Sequence, residues 1–180
     1  MSFVRLVLFF LGVLAALLLG WWAIVGLPES MLAKVAAPSG LKPYTQEQAA
    51  GRETYIREGC VYCHSQQPRP EGFGADQSRF WGRPSIAADY VYDTPHLLGT
   101  MRSGPDLFNV SVRRPDSVWH YEHLHDPRHL VPGSIMPRFP WLFDEGTSAP
   151  APEGRVLVAY LLSLDHTYPI TPHDTVESSP

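Results

Sequence analysis

Residues 6–27 carry no charged side chain, and no other feature limits the fold of this 180-residue chain as strongly. A helix rises about 1.5 Å per residue, so the run spans about 33 Å, against about 30 Å for the hydrocarbon core of a bilayer. Arg5 stands before it, and Trp21 and Trp22 stand near its far end. A cation ahead of the helix and paired indoles at its exit place the N-terminus in the cytoplasm and residues 30–180 outside it. A cleaved signal peptide is the competing reading, with Val35-Ala36-Ala37 as a small-residue pattern downstream. The apolar part of a signal peptide usually has only about 7–15 residues, so residues 1–28 read as a retained transmembrane anchor. Both readings export the remainder.

The low charge of the chain follows from that run. Asp, Glu, Lys and Arg make up 18% of it, where about 25% is usual. The net charge is −4, with no block of Lys or Arg, which argues against nucleic acid as a partner. A content of 44% hydrophobic and 12% aromatic residues excludes a disordered tail. Two cysteines cannot build a disulfide-dense scaffold.

Past the anchor, residues 29–44 read as a Pro-containing linker. Thr45 and Gln48 then have the spacing of a capping box and predict a helix running to about Glu58. Prolines and glycines interrupt Ser65–Ser103 repeatedly, predicting a long aromatic-rich irregular segment. Asp116 to His125 predicts a short helix with Asp116 as its cap and Pro127 as its stop. Gly154–Leu164 predicts a final apolar helix. The whole is mainly α: one membrane helix, a domain over 45–166 with long irregular loops, and a polar tail over 167–180.

Cys60-Val61-Tyr62-Cys63-His64 carries the chemistry. The spacing matches covalent haem c attachment, in which two thiols reach adjacent vinyl groups and the following imidazole becomes an iron ligand. A thioredoxin-type pair needs a surrounding βαβ pattern, whereas a helix precedes this motif. A structural zinc site needs more soft ligands than two thiols. A disulfide across so short a loop would be strained.

A low-spin haem takes a second axial ligand, and the residues alone leave Met101 and Met136 as candidates. Met136 stands between Pro132 and Pro137, which stiffen its backbone, and Met101 precedes Gly104-Pro105. His120, His123, His125 and His129 form a cluster, read either as a polar surface with haem-propionate contacts or as a metal site or alternative axial ligand.

Gly51 through Gln66 resembles the haem-binding segment of the membrane-anchored monohaem subunit (CcoO/FixO) of cbb3-type cytochrome c oxidases. The similarity continues through Tyr92-Asp93, Arg102-Ser103-Gly104-Pro105-Asp106-Leu107, Trp119-His120, His123-Leu124 and Asp126-Pro127-Arg128. It closes with Ser134-Ile135-Met136-Pro137 and Pro140-Trp141-Leu142, covering residues 50–143 together with the anchor. The resemblance implies a class I cytochrome c domain with His64 and Met136 on the iron and Pro105 beside the proximal histidine. It also implies that Gly51 and Tyr55 pack on Tyr160 where the first and last helices of the domain cross.

By the same resemblance, one covalent haem c relays single electrons from a donor cytochrome c to a haem–copper catalytic subunit. The complex sits in the inner membrane of a bacterium, single-pass in this subunit, with the haem domain on the periplasmic side. The rival readings are the cytochrome subunit of a nitric oxide reductase and a free-standing anchored carrier. A haem-based sensor or peroxidase would need an open iron site. The chain has no set of histidine-rich membrane helices to bind copper, so the catalysis belongs to a partner.

Overall fold

The computed structural model describes residues 2–171. Helix α1 (Phe3–Trp21) continues through a π-helical turn (Trp22–Gly26) into α2 (Leu27–Leu32). Together they form one 30-residue apolar helix, long and apolar enough to cross a membrane, with no part of its apolar core stretch buried against the rest of the chain. The π turn has a local cause. Pro28 offers no N–H to the preceding turn, and its ring crowds the carbonyl four residues back, so the helix widens just before it. The helix therefore runs past residue 28 and includes the start of the segment read as a linker.

Helix α3 (Gln46–Arg57) starts where expected. Thr45 Oγ1 accepts from the Gln48 N–H at 3.2 Å, and Gln48 Oε1 accepts from the Thr45 N–H at 2.9 Å. Its buried face is Gly51, Arg52, Thr54 and Tyr55, while Ala49 is exposed. After it come α4 (Val110–Arg113), α5 (Ser117–His125), α6 (Pro127–Leu130) and α7 (Pro152–Leu161). Asp116 caps α5 as expected, accepting from the Val118 N–H at 2.9 Å. Helix α7 begins two residues before Gly154, because a proline at the first helical position gives up only an N–H that has no partner there anyway.

The core forms where α3 and α7 cross. A Cβ on Gly51 would lie 1.9 Å from the Val156 carbonyl oxygen and 2.7 Å from Tyr160 Cβ, so the two backbones meet with no room for a side chain. Tyr55 and Tyr160 are fully buried and pack edge-on at 5.5 Å. Leu97, Leu107, Leu124, Leu142, Phe143, Leu157, Val158 and Leu164 complete the cluster. Each contributes on the order of 1.5–3 kcal/mol by leaving water.

The long segment 65–103 forms no α-helix, and its only helical turn is a 3₁₀ turn at Ala87–Tyr90. Ion pairs to buried carboxylates hold it instead: Arg83 with Asp89 at 2.6 Å, Arg52 with Asp93 at 3.3 Å, and Arg102 with Asp76 at 2.8 Å. The chain stays packed beyond residue 166. His166 stacks on Phe108 at 3.8 Å, and the Tyr168 hydroxyl donates to Asp89 Oδ1 at 2.7 Å. Most of the expected tail, residues 172–180, lies outside the described residues.

Candidate functional site

Helix α3 ends by handing the chain to the cysteine motif. Gly59 adopts φ 72°, a left-handed conformation that stops the helix and that a side chain would strain. A single 3₁₀ turn, Cys60–Tyr62, follows. The N–H groups of Cys63 and His64 both donate to the Cys60 carbonyl, at 3.1 and 2.9 Å, so both cysteines and the histidine ride on one tight turn. Both thiols are free. Burial, reinforced by Glu58, pushes the Cys60 thiol up to about 12. It is therefore protonated at neutral pH, unlike the thiolate of a redox-active pair.

The stretch 63–67 is zipped to 104–108. Gly104 N–H donates to the Cys63 carbonyl at 2.9 Å, and Leu107 N–H to the Ser65 carbonyl at 2.7 Å. The buried Asp106 carboxylate accepts from Ser65 Oγ at 2.6 Å, from the Gln67 N–H at 2.8 Å and from the Phe108 N–H at 2.8 Å. This register sets His64 Nδ1 2.7 Å from the Pro105 carbonyl oxygen. A carbonyl only accepts, so Nδ1 carries the proton and Nε2 keeps its lone pair. Burial lowers the pKa of His64 and keeps the ring neutral. Gly104 lies against the ring face, where a Cβ would sit 2.3 Å from Cε1.

Met136 lies at the edge of the same apolar core that Cys60 and Val61 border. Its segment is pinned by the residues that follow it. Phe139 N–H donates to the Leu124 carbonyl at 3.0 Å, and Trp141 Nε1 donates to Glu58 Oε2 at 2.8 Å, beside the cysteine turn. Arg138 also pairs with Asp126. Met101 is 62% exposed, away from that core.

The histidine cluster separates into different environments. His120 is buried and donates to the Arg114 carbonyl at 2.9 Å, while His123 stacks on Trp119 at 4.6 Å. His125 meets Phe143 edge-on and His129 is exposed. Among the described residues, no group of three or more His, Cys, Asp or Glu side chains is placed to hold a metal ion.

The family model for the mono-haem subunit of cytochrome c oxidase (FixO) matches residues 3–176. The chain belongs to that family. A search of curated proteins finds no match. Membership makes the chain a mono-haem subunit that works with other oxidase subunits. The residues present fit such a group: two free thiols on one turn, an imidazole whose Nε2 lone pair is left available, and a thioether at the border of the same core. Arg102 and Asp106 stand within the Arg102–Leu107 motif, and nothing in the local pattern assigns either of them a role. The available signal was an arginine and an aspartate flanking Gly104-Pro105 in an otherwise weakly charged chain.

Proposed function

We propose that this protein is the electron-relay subunit of a cbb3-type cytochrome c oxidase. The observation that carries the reading is the cysteine turn ending in His64, with Nδ1 committed to Pro105, in a chain of the mono-haem oxidase family. In this reading the Cys60 and Cys63 thiols would hold one haem covalently, as thioethers formed by adding each S–H across one of its two vinyl groups. His64 Nε2 and Met136 Sδ would bind the iron, as in a class I cytochrome c. Bound there, the group supplies a one-electron Fe(III)/Fe(II) couple.

The protein's own part is to keep the site from rearranging. Pro105 fixes the imidazole plane, and the hydrogen bonds at Phe139 and Trp141 hold the Met136 segment. The α3–α7 core excludes water. The apolar N-terminal helix tethers the domain to the bilayer on the periplasmic side, and so raises its effective concentration at the haem–copper subunit. A donor cytochrome c delivers the electrons.

The test is to tag the full chain in its native host and purify it, with the subunits that accompany it, in mild detergent. The expected result is haem that stays on this chain in a denaturing gel and is lost in the Cys60→Ala/Cys63→Ala double variant. The complex is expected to consume oxygen and not nitric oxide. A wild-type chain without covalent haem, or a complex that consumes nitric oxide alone, overturns the reading.

A further inference from the structure

Arg102 reaches both sides of the turn that holds His64. Its Nε donates to Ser65 Oγ at 2.8 Å, and its Nη2 donates to the Gln67 carbonyl at 2.6 Å. Its Nη1 lies 2.8 Å from both carboxylate oxygens of Asp76. Nη2 also lies 3.7 Å from Asp106 Oδ2. All three guanidinium nitrogens are engaged, and the group lies 5.3 Å over the Trp81 ring. The side chain is 15% exposed and the two carboxylates it serves are 2% and 0% exposed.

These partners come from three separate stretches of chain. Ser65 follows His64, and Asp106 follows Pro105. Asp76 and Trp81 belong to the long irregular segment. Ser65 Oγ in turn donates a hydrogen bond to Asp106 Oδ2, so one continuous set of hydrogen bonds links the ring-bearing stretch to the carbonyl-bearing stretch. Removing the guanidinium takes the cation from the buried Asp76 carboxylate and from beside buried Asp106, and leaves Ser65 Oγ and the Gln67 carbonyl without its donors, which loosens the join between the stretches. Lysine presents a single point of charge and cannot span the same four acceptors.

Resting on the haem reading above, we propose that Arg102, backed by Asp76, is a positioning residue for the His64 ring. Through it, the irregular segment that contains Asp76 and Trp81 governs how firmly Nδ1–H is held against the Pro105 carbonyl. The segment is thus part of the axial-ligand support as well as an outer covering.

The test uses the purified full-length holoprotein. In the ferrous state, NMR measures solvent exchange of the His64 Nδ1–H. In the ferric state, the haem-methyl shift pattern reports the orientation of the imidazole plane. Arg102→Gln and Asp76→Asn are expected to speed the exchange about tenfold or more and to change the shift pattern. Arg102→Lys is expected to fall between wild type and Arg102→Gln. Arg83→Gln removes a part-buried arginine of the same segment that pairs instead with Asp89, and is expected to leave both readouts as in wild type. Wild-type exchange and shifts in Arg102→Gln and Asp76→Asn overturn the proposal, and so does an equal response in Arg83→Gln. If Arg102→Gln does not fold, Asp76→Asn and Arg102→Lys decide by the same criteria. A wild-type protein lacking covalent haem defeats the haem reading itself, and is seen before any variant is compared.

Discussion

A single hydrogen bond defines what His64 can do. The Pro105 carbonyl selects the tautomer protonated at Nδ1 and leaves Nε2 as the donor atom. The proposed role of Met136 is tested by paired substitutions. Met136→Ala in the holoprotein is expected to abolish the sulfur-to-iron charge-transfer band in the absorption spectrum, and Met101→Ala to leave it unchanged. Loss of the band in Met101→Ala alone would overturn the assignment. Asp106 allows a second test. Its carboxylate accepts three hydrogen bonds in a fully buried position. An asparagine there must turn its NH₂ toward at least one donor. Asp106→Asn is expected to destabilise the domain by about 1–3 kcal/mol in chemical denaturation, with m unchanged.

Among the elements, the α3–α7 crossing decides whether the cysteine turn has a platform. Gly51 permits the closest approach in the fold's core. Gly51→Ala drives a methyl into the Val156 carbonyl and is expected to cost about 1–3 kcal/mol or more, read from the denaturant midpoint. A variant as stable as wild type would show that the helices can separate without loss. The crossing also reaches the site through Gln66, whose side chain bonds the buried Tyr160 hydroxyl at 3.0 Å and whose carbonyl accepts from the Tyr90 hydroxyl at 2.8 Å. The element that bears on the membrane and the elements that bear on the haem are thus built differently. The first needs only a continuous apolar helix, whereas the second depends on side chains from distant parts of the chain meeting.

Over the whole molecule, the buried histidines set a pH dependence. Burial lowers the pKa of His120 and His166 below the ordinary 6.5, and burial is the largest cause that takes His123 to about 4. A lowered value means that the unfolded chain binds these protons more readily. The stability they contribute is therefore complete above about pH 6.5 and is lost as the pH falls toward 4. Asp106, raised by burial, opposes them at the acid end. The denaturant midpoint of the holoprotein is expected to fall between pH 7 and pH 4.5. A flat profile across that range would show that these rings are protonated without penalty.

The sequence by itself determined the features that rest on local pattern. These are the apolar N-terminal helix, the capped helix α3, the cysteine turn after it, and the absence of α-helix from segment 65–103. Hydrophobic length, a capping box, a five-residue motif and repeated Pro and Gly act over a few residues each, so their physics is present in the string. The extension of the first helix past Pro28 and the start of α7 at Pro152 escaped that reading, because a proline breaks or begins a helix according to where the helix already stands. Only the tertiary structure separated half-buried Met136, against the core, from exposed Met101 and distributed the four clustered histidines into unlike environments. It alone joined Arg102 to Ser65, Asp76 and Asp106. Those outcomes depend on which distant side chains share a buried space, where desolvation leaves each charge only the partners that packing brings to it.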